Sequence, residues 1–274
     1  MRNEKTAVWP WIAGVVLVGG IGFLLLRDRF DTGASGRADP PAAGAPAGGA
    51  AAPAAGADPA AGPTPVQHPL DIEAAADPAL PALQDSDAAA LESLAGLLGG
   101  EGTLAPLLRD HVIARLVGHI NLLDKPSVPP TVMAVAPLPG ALQVEAGADG
   151  EQIAAANGAR YAPYVQAFTA VDADALARAY LRFYPLVQQA YADLGVGDAY
   201  FNDRLVAVID HLLQTPQPAR PLAVTRDPRG RYAFVDPALQ ARSVGQKALL
   251  RLDLAQQQAV MQQLRALRAA ITRG

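Results

Sequence analysis

Hydrophobic and polar positions divide the 274-residue chain into three stretches of different character. Val8 to Leu26 is a continuous apolar run without charge, bracketed by Arg2 and Lys5 before it and by Arg27 and Arg29 after it. A helix of that length measures roughly 28 Å, enough to cross a bilayer core. Ala38 to Pro65 has no hydrophobic period, because nearly every residue is Ala, Pro or Gly. From about residue 70 the pattern becomes that of packed amphipathic helices, in which apolar residues recur three and four positions apart.

Within that third stretch, Asp85-Ser86-Asp87 reads as the cap of a helix reaching about Leu98, with Leu91, Leu94, Leu97 and Leu98 on one stripe and Gly99-Gly100 as its stop. Leu107 to Leu123 reads as a second helix, followed by the proline-punctuated loop Lys125 to Pro139. Ala141 to Glu145 and Glu151 to Ala154 flank a turn and predict a hairpin. Asp172 predicts the cap of a helix with Leu176, Leu181, Leu186 and Val187 inside, stapled by Val171 and Leu176. Pro185 should kink or split that helix. Phe201 to Gln214 is the clearest helix, ended by Thr215-Pro216. Leu222 to Thr225 and Arg231 to Val235 predict a second hairpin. Ser243 and Gln246 read as a capping box for Lys247 to Leu252. A last helix spans about Leu254 to Ile271, with Val260, Met261, Leu264, Leu267 and Ile271 inward. The expected fold is therefore mainly α, a compact helical domain with one or two short β-hairpins, preceded by a transmembrane helix and a disordered Ala/Pro/Gly spacer.

This gives a domain plan of a short tail at 1–7, a membrane span at 8–26, a spacer at 27–69 and a helical soluble domain at 70–274. A cleaved signal peptide has a shorter apolar region and a small-x-small cleavage site. Here Leu24-Leu25-Leu26 runs straight into Arg27-Asp28-Arg29, which favours a retained anchor. Trp9 and Trp11 stand where aromatic rings sit at headgroup level. The short basic tail predicts N-in topology at the inner, cytoplasmic membrane, single-pass, with the C-terminal domain in the periplasm. The absence of cysteine is compatible with an oxidising compartment. The spacer at full polyproline II extension would reach roughly 100 Å. It serves as reach, or else its composition reflects only a GC-rich genome.

Net charge is −4, so the balance does not favour nucleic acid. Arg242, Lys247, Arg251, Arg265, Arg268 and Arg273 form either a basic patch or an ordinary solvated helix face.

Several strings along the domain resemble the bacterial domain-of-unknown-function family 3014. They are Tyr161-Ala162-Pro163-Tyr164-Val165, Tyr184-Pro185-Leu186, Ala190-Tyr191, the run Tyr200 to Pro216 (YFNDRLVAVIDHLLQTP) and Gly245 to Arg251 (GQKALLR). The resemblance spans about Leu83 to Ile271, and the membrane anchor with its Pro/Ala-rich spacer matches the family layout. It implies an envelope location and a compact domain. It brings no mechanism.

The residues themselves offer little chemistry. His111 and His119 are eight apart and could share a helix face, but there is no H-E-x-x-H and no cysteine ligand, so no metal and no cofactor is expected. No serine lies in G-x-S-x-G or S-x-x-K. Ser86 and Ser243 read as caps. The one constellation is Asp203, Arg204, Asp210 and His211, a polar stripe on the helix after Tyr200. It is either an acid–base cluster, with a carboxylate orienting His211 and Arg204 binding an anion, or a set of structural salt bridges and hydrogen bonds. Asn202 is an N-cap or a buried polar group in need of partners. Tyr161, Tyr164, Tyr180, Tyr184, Tyr191 and Tyr200 form either core and groove wall or a peptide-binding interaction surface. The leading expectation is a non-enzymatic interaction or scaffold module, with the membrane and an unidentified envelope protein or cell-wall component as partners and no nucleic acid. The alternative is a periplasmic hydrolase-like enzyme using Asp203, Asp210 and His211.

Overall fold

The computed structural model describes residues 65–73, 77–136, 138, 140–148, 150–228 and 230–273. The expected span at 8–26 and the spacer up to residue 64 lie outside these residues. Among the described residues no helix is long and apolar enough to cross a membrane.

The domain is mainly helical. Its α-helices are α1 (Asp87–Leu98), α2 (Val112–Asn121), α3 (Asn157–Thr169), α4 (Ala173–Ala192), α5 (Phe201–Leu213), α6 (Pro237–Gln240), α7 (Val244–Arg251) and α8 (Leu254–Ile271). Two antiparallel hairpins interrupt them, β1 (Val144–Gly147) with β2 (Gly150–Ile153) and β3 (Val224–Arg226) with β4 (Tyr232–Phe234). The hairpins touch through the Gln152–Ala223 bridge, where the Ile153 amide donates to Leu222 O at 2.9 Å.

Helix α8 is the hub and packs on α3, α4 and α5. Its inward residues Val260, Met261, Leu264, Leu267 and Ile271 are all buried, as their spacing predicts. Most of the core lies between α1, α2, α3, α4, α5 and α8. A second, smaller core of Leu142, Ile153, Leu222, Val224, Phe234, Leu239 and Leu250 sits under the hairpins. Helix α7 joins the two: Leu249 belongs to the first core and its neighbour Leu250 to the second. A Cβ on Gly245 would stand 2.8 Å from the Leu123 carbonyl oxygen and 2.5 Å from Leu212 Cδ2, so only glycine lets α7 approach that closely.

Several sequence expectations change here. The second helix begins at Val112 instead of Leu107, because Leu107 pairs with Val135 in an isolated β-bridge. Asp87 does not cap its own helix. Its carboxylate accepts the amides of His111 and Val112, both at 2.8 Å, and so caps the start of α2 across space. Ser86 donates its hydroxyl to Leu83 O at 2.7 Å and makes no cap bond to α1. Pro185 does not split α4, which runs twenty residues through it. Proline removes one ladder bond, while Phe183, Tyr184 and Leu186 around it are buried in the core. Asp172 does cap α4, accepting from the Ala175 amide at 2.7 Å. Only half of the capping box forms: Ser243 Oγ accepts from the Gln246 amide at 3.2 Å, but the Gln246 side chain donates to His211 O at 3.0 Å instead of turning back. Helix α3, with Gly158 at its start and Pro163 inside it, has no counterpart among the sequence expectations.

Candidate functional site

The polar stripe of α5 is the place to test for chemistry, since it carries four ionisable groups on one helix. Helix α5 is positioned by Phe201, Leu205, Val208, Ile209 and Leu212, all buried. Its first amides are capped from α4. Gln188 Oε1 accepts from the Phe201 amide at 2.9 Å, and the Tyr184 hydroxyl accepts from the Asn202 amide at 3.4 Å.

The four stripe residues turn to four different parts of the fold. Asp203 accepts the amides of Gln67 (2.9 Å) and His68 (2.7 Å), at the end of the expected spacer. Arg204 makes a two-pronged bond to Asp124, at 2.9 and 2.7 Å, and also donates to Asn121 Oδ1 at 2.7 Å and to Asn121 O. Asp210 accepts from Arg268 on α8 at 2.5 and 2.9 Å. His211 Nε2 lies 2.9 Å from Ser243 Oγ at the start of α7. Burial acts to raise the Asp124 pKa, but the Arg204 and Lys125 contacts outweigh it and the net shift is downward. Burial lowers the His211 pKa, and Asp124 partly opposes the shift.

The Ser243–His211 contact has the separation of a nucleophile–base pair. Its surroundings are those of a helix cap. The Val244 and Gly245 amides donate to Lys125 O (2.8 Å) and Leu123 O (2.9 Å), and the Gln246 amide is taken by Ser243 Oγ. The donors that a developing oxyanion would need are thus already spent. Asp124, which would orient the imidazole, is committed to Arg204.

Asn202 is buried inside α5, and every polar atom of its side chain is paired. Its Nδ2 donates to His68 O (2.9 Å) and Ile271 O (3.1 Å), and its Oδ1 accepts from the Tyr180 hydroxyl (3.3 Å). The six tyrosines do not share one surface. Tyr161, Tyr184 and Tyr191 are buried, whereas Tyr164, Tyr180 and Tyr200 are partly exposed. Tyr180, Tyr184 and Tyr200 form a chain of rings with centroids 5.5 and 5.4 Å apart, and Tyr191 packs edge-on against Phe201 at 5.1 Å. Burial raises the Tyr180 and Tyr184 pKa values well above the usual phenol range, so both hydroxyls keep their protons. Sequence reasoning missed the role of this cluster, which is to cap α5 and set Asn202.

The sequence pattern places residues 65–69 in the spacer. The structure instead joins residues 67–70 to the domain, since the Leu70 amide also donates to the Tyr200 hydroxyl at 3.0 Å. His68 takes part through both its amide and its carbonyl.

His111 and His119 do not share a helix face: His111 precedes α2 with φ 52° and is exposed, while His119 is fully buried. His119 Nδ1 accepts from the Ala134 amide at 3.3 Å, and burial lowers its pKa to about 4. Among the described residues no group of three or more His, Asp or Glu is placed to hold a metal ion. Two of the cavities among the described residues border α2 and α4. One of about 110 Å³ is walled by Leu94, Ile113, Leu116, Phe183, Leu205 and Leu267 among others. The other, about 250 Å³, is bordered by Gln84, His111, Gln189 and Asp193. No member of the α5 stripe lines either.

Fold and site together define a helical bundle with an appended two-hairpin lobe and a polar stripe engaged in internal pairing. The chain belongs to the family described as "Protein of unknown function (DUF3014)", which it matches over residues 112–268, more than half its length. No curated protein and no solved structure matches it.

Proposed function

We propose that the chain is a single-pass membrane-anchored envelope protein whose helical domain acts as a non-enzymatic interaction or scaffold module in the periplasm. The uncharged run Val8 to Leu26 with its basic flanks supports the anchor, and the Ala/Pro/Gly stretch supports a reach of some tens of ångströms. The observation that carries the non-enzymatic reading is the dispersal of the α5 stripe. Asp203, Arg204, Asp210 and His211 are each paired to a different segment, and none lines either of the two cavities described above. The hydrolase-like alternative draws on the 2.9 Å Ser243–His211 contact. Against it, the three amides that follow Ser243 are already bonded and Asp124 is paired with Arg204.

Two measurements test this. A reporter fused after Gly274 should be active in the periplasm, and activity confined to the cytoplasm would overturn the topology. In a strain lacking the chromosomal copy, His211→Ala should complement to the extent that it is folded. A fully folded His211→Ala protein that fails to complement would promote the hydrolase.

A further inference from the structure

Four bonds hold residues 67–70 to the domain, and all four engage main-chain atoms of that segment. Its amides at Gln67 and His68 donate to the Asp203 carboxylate, its His68 carbonyl accepts from Asn202 Nδ2, and its Leu70 amide donates to the Tyr200 hydroxyl. No side chain of this strap enters either apolar core. Val66 and Ile72 beside it are 48% and 39% exposed. Gln67 and His68 form a bend, which turns two consecutive amides onto one carboxylate, and the His68 and Leu70 side chains are half-buried beside it. The strap is therefore held chiefly through the backbone of that bend.

The groups that read it are set by the bundle and do not depend on the strap. Asn202 is fixed by Ile271 O and the Tyr180 hydroxyl, and the Tyr200 ring leans on Tyr184. Removing the strap would leave a carboxylate, an amide N–H and a phenol hydroxyl aimed outward in the order that suits N–H, N–H, C=O and N–H of another chain. Such a site takes its affinity from main-chain bonds. Four hydrogen bonds and a half-buried Leu70 outside both cores barely offset the entropy of ordering the residues they hold, so the occupant can exchange.

We propose that Tyr200, Asn202 and Asp203 form a binding site for a bent peptide segment of a partner protein, read through its backbone, and that the chain's own residues 67–70 fill it when no partner is present. The proposal rests on the reading of the domain as an interaction module and gives that module its site and ligand class. All three reading residues lie inside the family-matched region, while the strap lies outside it.

The test uses the full chain in detergent micelles and a labelled peptide of residues 65–72. Gln67→Pro with His68→Pro removes both amide donors to Asp203 and vacates the site. By fluorescence anisotropy this variant should bind the peptide at least about tenfold tighter than wild type, whose strap competes in cis. Adding Asp203→Ala, or N-methylating the peptide at the two matching amides, should abolish the gain. Equal binding by wild type and variant, binding indifferent to Asp203→Ala, or no binding at millimolar peptide would overturn the site. Hydrogen exchange on the unaltered chain gives a second readout that needs no folded variant. The Gln67, His68 and Leu70 amides should exchange at least about 100-fold faster than those of Val260 and Leu264. Equal rates would show that the strap opens only with the whole domain and overturn exchange. Failure of these binding tests leaves the topology and complementation tests standing, so the two readings fail separately.

Discussion

Helix α8 and the strap meet at Asn202 and are attached to the bundle in unlike ways. Helix α8 buries Val260, Met261, Leu264, Leu267 and Ile271, and its Ile271 carbonyl also takes one Asn202 hydrogen. Five such side chains are worth on the order of 10 kcal/mol of gross apolar burial. The strap places none in the core and depends on four polar bonds to its backbone. The α5 stripe serves both modes from adjacent positions: Arg204 ties α5 to Asn121 and Asp124, and Asp203 ties it to the strap. Neighbouring charges on one helix can therefore have opposite importance for stability, and their partners decide which.

The largest effect that could break this contrast is acid acting on the bundle interior. His119 is neutral and fully buried, with Nδ1 accepting from the Ala134 amide. Protonation would put a second N–H against that donor. Its folded pKa is lowered to about 4 from 6.5. Between those values the unfolded chain binds the proton and the folded one does not, so stability is present at pH above 6.5 and falls as pH drops toward 4. The full loss is about 3 kcal/mol. Melts from pH 7 to pH 4 should show it, and His119→Leu should flatten the profile. An unchanged slope in His119→Leu would assign the acid loss elsewhere.

Next in size is Arg204→Ala. It leaves Asp124, whose side chain is only 19% exposed, with the exposed Lys125 ammonium at 3.4 Å as its remaining ion-pair partner, and frees the Asn121 carbonyl. A loss of about 2 kcal/mol is expected in denaturant unfolding, below the range for fully buried pairs because both partners retain some water contact. A loss under about 0.5 kcal/mol would place Arg204 with the strap contacts instead of the bundle.

What was legible in the sequence follows the same division. Helix α8 could be read because its five inward residues recur at helical spacing without a breaker. Helix α3 has a comparable stripe in Tyr161, Val165 and Phe168, but Gly158 and Pro163 obscure it, and its core contacts override their low propensity. The stripe Asp203, Arg204, Asp210 and His211 was visible as a stripe. Its partners were not, because Gln67, Asp124, Ser243 and Arg268 are remote in sequence and carry no local signal. Asp87 shows the same limit: beside Ser86 it looks like a local cap, yet it serves the start of α2. Caps formed through space leave no spacing to read.

The smallest expected effect sharpens the contrast most. The Asp203 carboxylate accepts from the Gln67 and His68 amides, and it also sits in the first turn of α5, where a negative charge is favourable. Asp203→Ala should therefore lower global stability by less than about 1 kcal/mol, mostly through that first-turn term. The strap should respond far more. Losing two charge-assisted bonds corresponds to roughly 10- to 100-fold easier local opening. Limited proteolysis should accordingly cut between Pro65 and Glu73 about that much faster, while the bundle resists as in wild type. Asp203→Asn keeps one carbonyl acceptor and should fall between. If Asp203→Ala instead melts the domain as deeply as Arg204→Ala, the strap is part of the cooperative core, and the distinction between the two modes of attachment collapses.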